Sequence, residues 1–277
     1  MATDVKYSVN LMASVLRNPY PEVPLPEAPL ALVLCQIRFP DTPALVDRVV
    51  LGRIKEGLHD LFPVMRSEEN ASFAVSMAPG NPPQIAANRE PVTRFEQIDK
   101  SWFVTVNNQF LALSTTAYTS RKDFIARLRD VLAVVTAQAD VGVCDRIGVR
   151  YVDQVADAAV LSDLPTFVNP ALLGVLTLDA SDGVAVVHAL TESLLDLGGN
   201  THLRSRCGVV PPATALDPSL GGIDQASWIL DIDVFDSTAV PFTVDLADRA
   251  EQLATSAYQL FRWSVTDKFI RHFGGTS

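Results

Sequence analysis

The sequence predicts an α+β fold made of two similar β-α-β(n)-α halves, in which antiparallel sheets are backed by long helices. The first observation is period-two alternation: Ile147, Val149 and Tyr151 share one side, as in a strand with one apolar face. The second is a set of apolar stripes at helical spacing. The third is an internal similarity, since residues 35–41 and 147–153 match in an aliphatic residue, an Arg, an aromatic residue and an Asp.

A second internal similarity joins residues 101–106 to residues 227–232, which both begin with Ser-Trp. The two similarities occur in the same order along the chain, and each Trp segment leads to an amphipathic helix. Repeated segments of this kind indicate a duplicated structural unit. We therefore predict that the two halves share one strand order.

The first half is predicted to hold a strand, a helix, two more strands, a hairpin and a second helix. In chain order these are residues 30–39, a helix capped by Thr42 and ending at Pro63, residues 73–77, residues 92–98, a hairpin over 102–114 about Asn107-Asn108, and a helix capped by Ser120.

The second half repeats this order less regularly. Its predicted elements are a strand over 144–155, a short helix around 164–168, a hairpin of 184–195 and 200–210 about Gly198-Gly199, a strand over 228–235, and a helix capped by Thr243 whose apolar pattern continues to Phe273. This order resembles the repeat of the TATA-box-binding-protein-like fold, and also helix-grip folds. Such an analogy of topology assigns no function.

Three regions follow from these elements: an extended N-terminal arm over residues 1–28, a first α+β half over 29–140 and a second over 141–277. The arm carries four closely spaced prolines, which favour an extended path. We interpret it as a tail lying on the body. The alternative is a segment that docks on a partner subunit.

Composition limits the classes of function. The chain has 277 residues, of which 48% are hydrophobic and 19% charged, and this is enough for a sizeable core. The net charge of −10 counts against general nucleic-acid binding, which needs a basic surface. Cys35, Cys144 and Cys207 are far apart, so buried free thiols are expected. With neither a signal peptide nor a membrane span in the sequence, we expect a cytoplasmic protein.

Charged residues alternate with apolar ones on several predicted strands, so they are expected to share the sheet face away from the helices. The candidate binding residues on this face are Arg38, Arg146, Arg150, His202, Arg204, Arg206, Asp231 and Asp233. One interpretation is cross-strand ion pairing, which stabilises by about 0.2–1 kcal/mol per pair. The other is a site where excess Arg recognises carboxylate or phosphate groups in bidentate fashion.

Catalytic and metal-binding patterns are missing from the sequence: there is no nucleophile elbow, phosphate-binding loop, dinucleotide fingerprint or zinc spacing. We therefore predict no cofactor, no metal and no enzyme activity. The favoured function is a cytoplasmic interaction module that binds a protein partner or a second copy of itself through the curved sheet face. The alternative is a sensor that binds a small anionic ligand or nucleotide in an Arg-lined groove.

Several motifs resemble those of a sporadically distributed bacterial family of unassigned function. The most specific is Arg-Ile-Gly-Val-Arg-Tyr at residues 146–151, and the others are Pro-Leu-Pro-Glu-Ala at 24–28, Ile-Arg-Phe-Pro at 37–40, Leu-Asp-Ile-Asp at 230–233 and the closing helix up to Phe273-Gly274. Val152 and Asp153 depart from the family pattern, which has an Asn-containing pair after the Tyr. The resemblance implies no substrate and no catalytic residue.

Overall fold

The computed structural model describes residues 19–76, 84–178, 186–217 and 220–276, with residues 69–76 and 84–90 described by their backbone alone. Within this part of the chain, nine strands form one sheet in which every pairing is antiparallel, and there are six α-helices. The predicted α+β class with an antiparallel sheet is therefore confirmed.

The nine-stranded sheet has the order β2-β3-β4-β5-β1-β7-β10-β9-β8, and the short strands β6 and β11 pair with each other. In chain order the strands are β1 (Leu30–Arg38), β2 (Val64–Ser76), β3 (Gln84–Glu96), β4 (Trp102–Val106), β5 (Phe110–Thr115), β6 (Val143–Cys144), β7 (Arg146–Val155), β8 (Ala189–Gly198), β9 (Thr201–Val210), β10 (Ser227–Asp236) and β11 (Val240–Pro241). Hence β1 and β7 are neighbours at the centre, with β5 beside β1 and β10 beside β7.

The long helices cover one face of this sheet. The six helices are α1 (Arg48–Leu58), α2 (Arg121–Gln138), α3 (Ala158–Leu161), α4 (Leu164–Phe167), α5 (Leu246–Ser264) and α6 (Asp267–His272), with short 3-10 turns at Pro43–Val46, Pro170–Leu172 and Gly174–Thr177. Buried residues of α1, α2 and α5 join alternate residues of β1 and β7, such as Cys35 and Val149, in one apolar core. The opposite face, which carries the other set of alternate residues, is called the open face below.

Two helix caps differ from the sequence prediction. Thr42 makes no side-chain cap, because Pro43 starts a 3-10 turn and α1 begins only at Arg48, where Asp47 accepts from two backbone amides at 2.9 and 3.1 Å. Thr243 does not cap α5, which begins at Leu246. The Ser120 cap is confirmed, since its hydroxyl accepts from the backbone amide of Asp123 at 3.1 Å.

The closing helix is also divided where the sequence predicts a continuous apolar pattern. Helix α5 ends at Ser264, Val265 bridges to Val168, and Thr266 caps α6 by accepting from the Phe269 amide at 3.4 Å. The apolar pattern continues across the break because both helices pack into the same core. A stripe of apolar residues therefore could not show the break.

Strands β2 and β3 are longer than predicted, at 13 residues each. The predicted strand over 73–77 missed the polar run 66–72, which has no apolar alternation and is extended because it pairs with β3. Met77, the end of that prediction, lies outside the described residues, as do residues 1–18 of the arm and 184–185 of a predicted hairpin. The hairpins over 102–114 and about Gly198-Gly199 have the predicted partners.

The second internal similarity does not correspond to equivalent strands. Trp102 lies on β4, two places from β1, whereas Trp228 lies on β10, directly beside β7. Their packing also differs, because Trp102 contacts Phe124 of α2 and Trp228 contacts Phe269 of α6. The Ser-Trp match is therefore a local resemblance between two buried strands.

The described part of the arm, residues 19–28, runs along α5. The hydroxyl of Tyr258 donates to the Pro21 carbonyl at 2.9 Å and accepts from the Val23 amide at 2.8 Å. The side chain of Gln259 exchanges two hydrogen bonds with the backbone of Tyr20. These bonds hold the extended arm against the helix-covered side of the protein.

The three cysteines are buried and free, as predicted. Burial raises the pKa of the Cys144 thiol to about 11 and that of Cys207 to about 12. Among the helices of the described residues, none has both the length and the apolar composition to cross a membrane.

Candidate functional site

All eight predicted site residues lie on the open face, and most of them join one network of ion pairs. Strand β10 supplies two carboxylates, Asp231 and Asp233, with β7 on one side and β9 on the other. Because side chains alternate along each strand, the Arg residues of β7 and β9 point to the same side as these carboxylates. The network therefore divides into two parts, one around each Asp.

Asp231 is the more buried centre, with a side chain that is 4% exposed. Arg150 binds it in bidentate fashion, with Nε and Nη2 at 2.8 and 3.0 Å from its two oxygens. Arg206 donates a further bond from Nε at 2.9 Å. Burial acts to raise the pKa of Asp231, but the hydrogen bonds and charges of Arg150 and Arg206 outweigh it and hold that pKa below its ordinary value.

Arg150 also fixes the segment that precedes β10. Its Nη1 donates to Asp217 at 2.7 Å, and its Nη2 donates to the Leu216 carbonyl at 3.2 Å. Leu216 and Leu220 in turn pack on a small apolar cluster of the open face that contains Phe103 and Val152. This part of the face is covered by the chain itself, and Arg150 serves as its anchor.

Asp233 lies at the more exposed part of the network. It accepts from Nη2 of Arg146 and Nη2 of Arg204, each at 3.2 Å. Arg38 is the cross-strand neighbour of Arg146 and donates its Nε to Gln36 at 3.2 Å. Two guanidinium groups therefore contact a single carboxylate and the third, that of Arg38, lies on the neighbouring strand, which leaves an excess of positive charge here.

The pKa of Arg146 reflects this excess of positive charge. Burial lowers the pKa of Arg146, and the charges of Arg38 and Arg204 lower it further, while Asp233 opposes both. The guanidinium of Arg146 lies over the ring of Phe235, 4.2 Å from its centroid, and this favours the charged form. An added anion beside Arg38 and Arg204 would relieve their repulsion.

His202 lies at the border of this cluster. Its ring stacks on Phe235 with 5.5 Å between centroids, and its Nδ1 is 3.3 Å from the carbonyl of Asn200. The structure thus brings His202 next to the aromatic side chain that supports Arg146.

Gly148, in the middle of the Arg-Ile-Gly-Val-Arg-Tyr motif, leaves space for the side chains of Arg146, Asp233 and Phe235. A Cβ atom there would lie 3.1 Å from Cβ of Phe235 and 3.3 Å from both Nη1 of Arg146 and Oδ1 of Asp233. In the sequence this glycine is only one residue of a motif. Its steric role depends on the pairing of β7 with β10, which places Gly148 opposite Phe235.

We expect Gly148→Ala to lower the free energy of unfolding by about 1–3 kcal/mol, because the added methyl group displaces the Arg146–Asp233 pair. Gly52→Ala is the control, since Gly52 lies in α1 with nothing within 4 Å of the added Cβ. That change should raise helix stability by about 1 kcal/mol. Urea denaturation of both variants measures the difference, and equal effects would contradict the steric role of Gly148.

Strand β8 forms an edge of the sheet beside this cluster, pairing only with β9 among the described strands. Leu194 is the cross-strand neighbour of Arg204, and Leu190 that of Gly208, so both leucines lie on the open face. They are 63% and 41% exposed. The sequence predicts this strand as part of a hairpin, but the exposure of its leucines depends on β8 lying at the edge of the sheet.

No protein-family model matches this sequence, and no curated protein matches it either. Within the described residues, there is no group of three or more His, Cys, Asp or Glu side chains that could hold a metal ion.

Proposed function

We propose that this protein is a non-enzymatic binding module that holds an extended, acidic protein segment along β8 on the open face of the sheet. The observation that carries the proposal is the strip formed by Leu190, Leu194 and Arg204, in which exposed apolar side chains adjoin a partly neutralised Arg cluster. Arg204 is 49% exposed although it contacts Asp233, so most of its donors are free to reach a partner.

An edge strand supports this mode of binding. Its outer backbone groups can pair with an added strand, and alternate side chains then select the sequence of the partner. Apolar anchors with Arg beside them are typical of protein interfaces. The excess positive charge around Asp233 favours carboxylates at alternate positions of the added strand.

We also propose that the sheet consists of two like-built halves in a TATA-box-binding-protein-like or helix-grip-like arrangement. Supporting this, the first internal similarity falls on β1 and β7, which are central neighbours. The other neighbour of β1 is β5, the last strand of the first half, and the other neighbour of β7 is β10, the last strand that the second half contributes to this sheet. On the motifs given above, we further propose that the chain belongs to the bacterial family that it resembles. We also propose that the protein acts in the cytoplasm.

Selection of displayed peptides tests the proposed binding mode. Random peptides of strand length are selected on the wild-type protein and then tested on Leu194→Lys combined with Arg204→Glu. We expect enriched peptides with acidic residues at every second position, and loss of their binding to the double variant. The control is Val49→Lys on α1, where Val49 is 61% exposed, and it should bind as the wild type does.

Two outcomes would contradict the proposal: peptides without acidic residues, or peptides that bind the double variant equally well. Self-association is measured separately by sedimentation velocity over a range of protein concentrations. A dimer that the double variant abolishes would identify a second copy of the chain as the partner.

The excess of Arg around Asp233 favours a second candidate function, in which a small anion binds between Arg38, Arg146 and Arg204. We expect inorganic phosphate or citrate to raise the Tm of the wild type, and Arg38→Gln combined with Arg204→Gln to remove that shift. Arg129→Gln is a matched control, because Arg129 is 50% exposed and paired with Asp248 on helices. The anion site would be ruled out if the Tm shift were kept by the Arg38→Gln, Arg204→Gln variant and lost in Arg129→Gln.

A further inference from the structure

A cavity of about 280 Å³ lies on the helix-covered side of the sheet, away from the open face. Its walls come from the arm, the start of α2 with the segment before it, strands β1, β7 and β10, and helix α5. It runs from exposed Glu22 to buried Asp153, so it connects the surface with the sheet. Most of the other lining residues are apolar or aromatic, and this volume is at the small end of ligand sites.

Asp153 is the unusual group in this cavity. It is 2% exposed, and its carboxyl group has no hydrogen-bond or ion-pair partner among the described residues. Ionising a carboxyl group this deeply buried is costly unless a partner pairs with it, because little water can reach it. The pKa of Asp153 is raised well above its ordinary value, first by burial and then by the charge of Asp231.

The other polar groups around the cavity already have partners. Arg121 donates to Glu22 at 2.5 Å and to Thr255 at 2.8 Å, so its charge is directed away from Asp153. The hydroxyl groups of Tyr118 and Tyr151 bond to each other. That of Tyr258 is held by the arm. Asp153 is therefore the polar group that a bound molecule would satisfy.

We propose that this cavity binds a small primary or secondary amine with an apolar body, whose ammonium group pairs with the carboxylate of Asp153. A carboxylate is the natural partner of an ammonium group, and the aromatic rings that line the cavity favour a cation beside them. The apolar part of the ligand would lie against residues such as Ile232, Ala257 and Phe261. This site is independent of the function proposed for the open face.

Binding changes the protonation of Asp153. Below the raised pKa of Asp153 the free carboxyl group holds a proton. In the complex it is ionised, so an ammonium ion that binds in this pH range releases one proton to solvent. The affinity for the amine should therefore rise about tenfold per pH unit while the pH stays below the pKa of Asp153 in the free protein. The titratable or charged groups that surround this carboxyl group are Tyr151 of β7, Asp231 of β10, Tyr118, Arg121 of α2, Tyr258 of α5 and Glu22 of the arm.

Matched probes test the chemistry on the full chain. Phenethylamine, phenethyl alcohol and phenylpropionate share one shape, and hexylamine, hexanol and hexanoate share another. In calorimetry we expect at least one amine to bind about tenfold more tightly than its alcohol and carboxylate counterparts. Proton release is read from the dependence of the heat on the buffer.

Two variants separate the site from the fold. Asp153→Asn keeps the size of the side chain and should remove the preference for the amine, leaving it equal to the alcohol. Ala257→Leu keeps Asp153 but fills part of the cavity, and should weaken all probes. Amines that bind no better than alcohols, or an amine preference that survives Asp153→Asn, would overturn the proposal.

Discussion

Arg150→Ala is expected to lower the free energy of unfolding by about 3–5 kcal/mol, because it leaves the buried carboxylate of Asp231 with Arg206 as its remaining partner. The side chains of Arg150 and Asp231 are 17% and 4% exposed, so water cannot replace the lost bonds. In a chain of this size, each kcal/mol lowers Tm by about 2–4 °C. Urea and thermal denaturation at pH 7 measure the effect.

Arg204→Ala is the matched control, since it removes the same kind of side chain from the same face. Arg204 is 49% exposed and shares Asp233 with Arg146, so we expect a loss of at most about 1 kcal/mol. Equal losses from the two substitutions would mean that the network around Asp231 contributes no more than a surface ion pair. Because Arg150 also holds Asp217 and Leu216, its loss should increase proteolysis of the segment before β10.

The sequence left two interpretations of the charged face, structural ion pairing and a binding site, and each fits a different part of the open face. Around Asp231, two guanidinium groups satisfy the carboxylate and the carbonyl of Leu216 binds Arg150, which is the arrangement expected of structural ion pairing. Around Asp233, the Arg residues outnumber the carboxylate. Binding is therefore best sought at the second part, where changes in charge should affect partners more than stability.

Much of the fold could be predicted because period-two and helical patterns report directly on burial. Strand β7 and the apolar stripe of α2 follow from residues such as Val149 and Leu128, which are buried as predicted. The polar start of β2 could not be predicted in this way, since its extended conformation depends on pairing with β3. The break between α5 and α6 depends on the bridge from Val265 to Val168, which is equally invisible in a local pattern.

The residues that share the open face could be predicted from the sequence, but the ion pairs that they form could not. Alternation assigns Arg150 and Arg204 to one face, but only the strand order shows that Asp231 and Asp233 lie between the Arg residues of β7 and β9. The contact of Arg150 with Leu216 joins residues of a strand and a distant loop. Asp153 was visible in the sequence as a departure from the family pattern, but its lack of a partner depends on how α5 and the arm pack.

The pH dependence of stability should report the buried state of Asp153 directly. Its pKa is raised in the folded protein, so the folded state keeps a proton that the unfolded chain releases above about pH 4. This group therefore stabilises the fold fully only below that pH. As pH rises towards the folded-state pKa, the wild type should lose about 1.4 kcal/mol per pH unit relative to Asp153→Asn.

Urea denaturation of both proteins at half-unit steps from pH 4.5 to 8 measures this slope, and the groups that the two proteins share cancel in the difference. Asp163→Asn is the control of opposite sign. Asp163 accepts hydrogen bonds from Lys268 and Thr166, which lower its pKa, so its contribution is present above the unfolded pKa and is lost as pH falls. A flat difference between the wild type and Asp153→Asn would mean that the carboxyl group is ionised when folded, and an ammonium ligand would then bind without releasing a proton.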